Sequence, residues 1–238
     1  MNISKLVTRI KLSLGIYSIS LPIENLDDFI LTVIEDITLP VFSIYCPFQQ
    51  ILHLNVKTLE LLQKTDSFES YLLPDFQERK LLSVKNIVYD GSSLYGYSTG
   101  LFPYIYSGVS QDLMISNATA NLISNMMPSL TFHFEAPRTI TLYNCLSSYS
   151  LIFTLLFEHD KSFASITPTS EESFYKLAEL DVKQALYGTM KHYNDIQTAY
   201  GNINLKIDDW ASATEDRKSL LSEWDEKYHL DYAQSFYG

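Results

Sequence analysis

The sequence is poor in cysteine, glycine, proline and charge. Its two cysteines, Cys46 and Cys145, cannot supply a disulfide framework or a four-ligand zinc site. Both lie in apolar, strand-like segments, where a cysteine usually serves as a small buried hydrophobic residue. This use of cysteine fits a reducing, intracellular setting.

Long hydrophobic runs are also missing. A membrane-spanning helix needs roughly 20 apolar residues, and the longest candidates are interrupted at Pro40, Pro47 or Pro103. Charged residues make up 19% of the chain, and 28 acidic against 17 basic residues give a formal charge of −11. A strongly negative chain repels phosphate backbones. We therefore expect neither a membrane partner nor specific nucleic-acid binding.

Apolar residues account for 46% of the 238 positions, which is enough for a substantial core. The first sixteen residues place apolar side chains at helical spacing, which predicts a short amphipathic helix. Its basic residues, Lys5, Arg9 and Lys11, lie off the apolar stripe, and the segment contains no acid. Ser20 followed by Pro22 is typical of a helix start and predicts a second helix through Ile37.

The middle of the chain has the composition of β-strands. Branched and aromatic residues predict strands at 41–46, 51–56 and 81–89. Alternation from Leu130 to Phe134, a turn at 135–137 and a second run at 138–144 predict a hairpin. A further strand at 150–160 is apolar on both faces and is expected to be central. Helical spacing returns between 109 and 127, which predicts one helix inserted among the strands.

After Pro168 the pattern becomes helical again. Acids suited to a helix N-terminus begin a stripe that predicts a helix from 171 to about 200, followed by an extended connector. A last helix is predicted from Trp210 through Tyr228. Trp210 and Trp224 are fourteen residues apart, on one predicted helix face, and serve either core packing or an intermolecular seam.

Together these segments predict an α+β fold. We expect N-terminal helices at 1–38, a β-rich domain at 39–167 with an antiparallel or mixed sheet or a sandwich, and a C-terminal αα hairpin at 168–238.

The segment 90–108 is rich in glycine and tyrosine and is predicted to be a long ordered loop. Such loops are usually functional, and tyrosine covers contact area at low entropic cost. We expect it to contribute to an interface, or alternatively to act as an aromatic platform that binds a peptide or carbohydrate. The candidate interface residues in it are Tyr95, Tyr97, Phe102, Tyr104 and Tyr106.

Catalytic signals are weak. Residues 96–100 match G-x-S-x-G, but the flanking segments lack the strand and helix that a nucleophile elbow requires. A serine hydrolase using Ser98 with His159 or His133 is therefore the alternative, not the preferred interpretation. The cluster Glu158–Asp160 lacks metal-ligand spacing, and a solvated strand end is the expected explanation. We predict no enzyme activity, catalytic residues, metal or cofactor.

The segment from Phe174 to His229 has a composition of its own: FYKLAELDVKQALYGTMKHYNDIQTAYGNINLKIDDWASATEDRKSLLSEWDEKYH. With the tyrosine-rich, charge-poor chain and its β-rich middle, it resembles virion structural proteins of tailed bacteriophages, in particular neck, connector or baseplate components. The resemblance is strongest from Leu130 to Tyr228. It implies a non-enzymatic protein of the virion, made in the host cytoplasm, that joins neighbours as a homo-oligomeric ring. Portal, tail-terminator or tail-tube proteins are the implied partners, and a baseplate or tail position is the alternative.

Charge is distributed unevenly along the chain. The N-terminal segment is basic, whereas residues 171–231 contain 13 acids and 7 basic residues. Complementary charge on two surfaces determines how the surfaces align more than how tightly they bind. We hypothesise that the basic helix, through Lys5, Arg9 and Lys11, meets the acidic hairpin of an adjacent subunit.

Overall fold

A computed structural model describes eight stretches of the chain. They are residues 3–18, 21–76, 79–90, 130–145, 150–191, 195–198, 201–204 and 210–233. The helix predicted at 109–127 and all but the first residue of the tyrosine-rich segment 90–108 lie outside these stretches.

The chain forms two compact units. Unit 1 combines two segments that are distant in sequence, Met1–Phe48 and Glu158–Tyr237. Unit 2 is the continuous segment Gln49–Phe157 between them. The β-rich unit thus begins and ends about ten residues inside the limits of 39 and 167 set from the sequence.

Unit 1 is mainly helical. Its helices are α1 (Ile3–Ser13), α2 (Leu26–Val33), a π-helical turn (Ile34–Thr38), α3 (Leu39–Tyr45), α4 (Glu171–Met190) and α5 (Ala213–Ala233). The apolar stripe predicted for α1 is confirmed, since Leu6, Val7 and Ile10 are buried in a core shared with α2, α3 and α4. Burying such a stripe stabilises the fold by about 25 cal/mol per Å² of apolar surface removed from water. This burial explains why a helix of only 11 residues is stable in unit 1.

Residues 41–45 are helical, so the strand predicted at 41–46 was wrong. Leu39 and Phe42 are buried in the unit 1 core, and this packing outweighs the strand preference of branched and aromatic residues. Pro40 lies inside the continuous run of helical residues. Its ring would crowd the carbonyl of Asp36, and it has no N–H to donate. The π-helical turn directly before it widens the backbone ladder at this point.

The described part of unit 2 contains two sheets. Its strands are β1 (Phe48–Asn55), β2 (Glu60–Lys64), β3 (Phe68–Leu72), β4 (Leu81–Tyr89), β5 (Thr131–Glu135), β6 (Thr139–Tyr143) and β7 (Ser150–Phe157). One sheet has the order β1-β7-β4 and the other the order β2-β3-β6-β5. Every pair in the second sheet is antiparallel, as is the pair of β4 and β7.

Three strand predictions in unit 2 are confirmed. The run at 81–89 is β4, and the predicted hairpin is β5 and β6, with Glu135 opposite Thr139. The strand that is apolar on both faces, β7, occupies the centre of its sheet, and Leu151, Phe153 and Leu155 are fully buried.

The region after α4 departs from the sequence prediction. Helix α4 ends at Met190, so the helix predicted to reach residue 200 is too long by about ten residues. A small antiparallel hairpin follows, formed by β8 (Asp195–Thr198) and β9 (Gly201–Asn204), with Ile196 opposite Ile203. Branched residues favour this extended pairing. The α+β class with N-terminal helices and a C-terminal helical region is confirmed.

Candidate assembly surfaces and the contacts that hold them

The candidate interface residues of the tyrosine-rich segment lie outside the described residues. This holds for Tyr95, Tyr97, Phe102, Tyr104 and Tyr106, and also for Ser98. The other five candidates, Lys5, Arg9, Lys11, Trp210 and Trp224, are described, and all five belong to unit 1.

Arg9 of α1 binds the first turn of α4. One terminal guanidinium nitrogen donates to both carboxylate oxygens of Glu172, at 3.0 and 2.8 Å. The guanidinium also lies 3.7 Å from the ring centre of Tyr175, in a cation–π arrangement. These contacts raise the pKa of Arg9, chiefly through the hydrogen bond to Glu172. The basic helix therefore meets the acidic C-terminal region within one chain at this position.

Lys11 likewise has an acidic partner in its own chain. Its ammonium pairs with Asp27 at the start of α2. Lys5, one helical turn before Arg9, is exposed on α1. A contact between subunits through Arg9 or Lys11 would have to replace an ion pair that already exists within the subunit.

Trp210 and Trp224 are core residues of unit 1. Their exposed fractions are 7% and 4%. The Trp224 ring packs edge-on against Phe42, with centres 6.1 Å apart, and against Tyr45, at 5.5 Å. Trp210 precedes α5 instead of lying within it. Of the two interpretations of this pair, core packing is the one that the side-chain burial supports.

A buried carboxylate links three helical segments of unit 1. Asp181 of α4 is 2% exposed. It accepts a hydrogen bond of 2.8 Å from the Thr38 hydroxyl in the π-helical turn, and one of 2.5 Å from Nε of Arg217 on α5. No motif in the sequence predicted this network. An acid within the apolar stripe of a predicted helix was the available signal, because such an acid needs a buried partner.

His159 is also buried, which corrects the solvated strand end expected for the cluster 158–160. Its Nε2 lies 2.7 Å from the carbonyl oxygen of Cys46, so Nε2 must carry a proton to donate. Its Nδ1 lies 2.8 Å from the Ser165 hydroxyl, and its backbone N–H donates to Ser43. These bonds hold the connector after β7 onto α3. No group of three or more metal-ligating side chains occurs in the described residues.

Large apolar side chains remain exposed on both units. Strand β2 has every side chain exposed, and Leu61 and Leu62 each keep 49% of their surface in water. This strand forms one edge of the four-stranded sheet. Exposed apolar edges are sites where another chain can add. Other large apolar residues that are more than 40% exposed are Leu12, Tyr17, Ile37, Ile44, Ile51 and Val88.

The helices of the described stretches are too short or too polar to cross a bilayer. Comparison with curated proteins gives no match. Comparison with protein families gives a match over residues 1–234, nearly the whole chain, to the family described as bacteriophage ring protein. This match confirms the phage structural class that the sequence resemblance implied. The chain belongs to the bacteriophage ring protein family.

Proposed function

We propose that the protein is a non-catalytic subunit of a homo-oligomeric ring in the neck of a phage virion, where it joins neighbouring virion proteins. The observation that carries the proposal is the family match, which spans both units of the chain. The family match therefore concerns the whole subunit and not one appended module.

The chemistry of the surface supports a subunit role. A closed ring needs two different surfaces on each copy, because head-to-tail contacts repeat around the axis. Interface cores are depleted in charge and enriched in aromatic residues. With 19% charged residues and 17 tyrosines, the chain has the matching composition. Exposed side chains such as Ile44 and Ile51, at 60% and 58%, supply apolar contact area on both units.

The neck position rests on the sequence resemblance to connector components between Leu130 and Tyr228. Portal, tail-terminator or tail-tube proteins are the neighbours that this position implies. A place in the baseplate or elsewhere in the tail is the alternative, and it requires the same ring-forming chemistry with different partners.

Native mass spectrometry of the purified full-length protein tests ring formation. We expect one dominant assembly with a fixed subunit number that persists on dilution. A protein that stays monomeric at every concentration, with and without added virion extract, would contradict the proposal. Electron microscopy of virions that carry a tagged copy then tests position. Density for the tag at the head-to-tail junction supports the neck, whereas density at the distal tail supports the baseplate.

A further inference from the structure

Helix α4 turns a basic face away from the core of unit 1. Lys176, Lys183 and Lys191 follow one another at intervals of seven and eight residues, which is about two helical turns. Leu180 and Tyr187 lie between them on the same face and are half-buried. Lys176 and Lys191 are exposed and have no ion-pair partner among the described residues. This face therefore combines unpaired positive charge with a partly apolar centre.

The acids on the same face of α4 are already paired within the chain. Glu172 binds Arg9, and Glu179 lies 2.9 Å from Lys183. Neither acid is left to neutralise the two exposed lysines. A surface that matches this face must therefore supply carboxylates of its own.

Helix α5 presents an acidic face to solvent. Glu215 and Glu223 are eight residues apart, and Glu226 lies one turn beyond Glu223. Ser219 and Ser222 are exposed between these acids on the same face. In the part of the chain that the structure describes, Glu223 and Glu226 have no ion-pair partner. The acids thus repeat at the spacing of the α4 lysines, with small side chains where the α4 face has larger ones.

The two faces complement each other in charge, spacing and shape. When two helices pack side by side, side chains two turns apart recur at intervals of about 11–12 Å on both. Lysines at this interval on α4 then lie opposite glutamates at this interval on α5, and Leu180 and Tyr187 lie over the serines. From this we infer that the basic face of α4 in one copy contacts the acidic face of α5 in the next copy.

The two faces point in different directions, as a ring requires. Asp181 of α4 and Arg217 of α5 bond each other and mark the sides on which the two helices meet within the chain. At about 100° per residue, Tyr187 lies about 120° round α4 from Asp181, and Glu226 lies about 180° round α5 from Arg217. The contact within the chain therefore covers neither face. Each copy can bind one neighbour through α4 and another through α5, which is the head-to-tail repetition of a ring.

This inference rests on the proposed ring and identifies the contact between its subunits. The acidic face of α5 repels a second α5 face, and the basic face of α4 repels a second α4 face. Such repulsion disfavours two-fold pairing through either helix. Charge therefore selects the unlike pair, α4 with α5, over both like pairs.

Charge reversal tests the contact in the full-length protein. Lys176→Glu together with Lys191→Glu makes the α4 face acidic. Glu223→Lys together with Glu226→Lys makes the α5 face basic. Either reversal alone places like charges across the contact. Both reversals in one chain restore opposite charges, with the signs exchanged between the helices.

Lys57→Glu together with Lys85→Glu is the matched control. Both lysines are exposed residues of unit 2, and the pair undergoes the same change of charge as the α4 reversal. Native mass spectrometry and sedimentation velocity over a concentration series measure assembly, and circular dichroism verifies that each variant is folded.

We expect either reversal alone to raise the concentration at which the ring mass appears by about tenfold or more. The combined reversal should restore assembly, and the control should assemble as the wild type does. An unchanged ring with either face reversed, or no recovery in the combined variant, would overturn the contact between α4 and α5 and leave the ring intact. A wild type and a control that both stay monomeric would overturn the ring and this contact with it.

Discussion

Asp181 provides the sharpest test of how unit 1 is held together. Asp181→Ala removes the acceptor for the Thr38 hydroxyl and the counter-ion of Arg217 in one step. Thr38 is fully buried, and the Arg217 side chain is 22% exposed. Breaking a buried ion pair by removing one partner costs about 3–5 kcal/mol. We expect Asp181→Ala to lower the unfolding free energy of unit 1 by this amount.

Two comparison variants separate charge from packing. Asp181→Asn keeps the volume and an acceptor for Thr38 but removes the charge, so a smaller loss of about 1–3 kcal/mol is expected. Glu179→Ala is the control on the same helix. It breaks an ion pair of 2.9 Å with Lys183, which lies one helical turn further along α4. Such a pair contributes about 0.3–0.5 kcal/mol to stability.

Urea unfolding followed by tryptophan fluorescence is the assay. The chain has two tryptophans, Trp210 and Trp224, and both are buried in unit 1, so the signal reports this unit selectively. Protein concentration must be held constant, because assembly shifts apparent stability. A loss for Asp181→Ala no larger than that for Glu179→Ala would refute the buried network as a source of stability.

Three further predictions concern single side chains. Arg9→Ala should destabilise unit 1 by about 0.5–1 kcal/mol in the same fluorescence assay, and Arg9→Lys should recover only part of this, since lysine lacks the planar fork. Hydrogen bonds from Lys64 and Tyr71 hold the pKa of Glu69 below its ordinary value. A carboxyl group whose pKa is lower in the folded than in the unfolded state stabilises the fold at pH values above its unfolded-state pKa. This stabilisation is lost as the pH falls through the folded-state pKa. The stability advantage over Glu69→Gln, measured by circular dichroism, should therefore be largest at neutral pH and vanish in acid; a constant difference would contradict it. Burial, with a smaller contribution from Glu69, raises the pKa of Cys145 to about 11. At pH 8 iodoacetamide should modify Cys145 on the order of 100-fold more slowly in the folded than in the unfolded chain, as measured by peptide mass spectrometry.

The sequence was most informative where a local pattern and the tertiary environment agree. The hairpin of β5 and β6 shows alternation that matches one buried face, and β4 has the branched residues typical of a strand. The bounds of all three strands were predicted within one or two residues. Helix α1 was also predicted, because the helical spacing of its apolar residues matches its buried face. Local preference failed at α3, where burial of Phe42 among helices of distant sequence decides the conformation.

The candidate surfaces were less accessible to sequence analysis. Edge exposure depends on which strands become neighbours, and β2 was not predicted as a strand at all. The ion-pair partner of Arg9 within the same chain is Glu172, which lies 163 positions away. No local sequence pattern could therefore identify this partner. The basic and acidic segments did signal that two such regions attract each other. Charge patterning alone does not decide whether the attraction is within a chain or between chains.

The division of unit 1 into two sequence segments has a consequence for synthesis. Helix α1 leaves the ribosome long before α4, the helix against which Arg9 and Tyr175 fix it. At about 5–20 residues per second, the intervening chain takes roughly ten to thirty seconds to make. Unit 2 is continuous and is complete earlier. During this interval the stripe of Leu6, Val7 and Ile10 has no α4 to cover it. The nascent subunit therefore exposes an apolar helix face, which chaperones or neighbouring nascent chains can bind, before its assembly surfaces have folded.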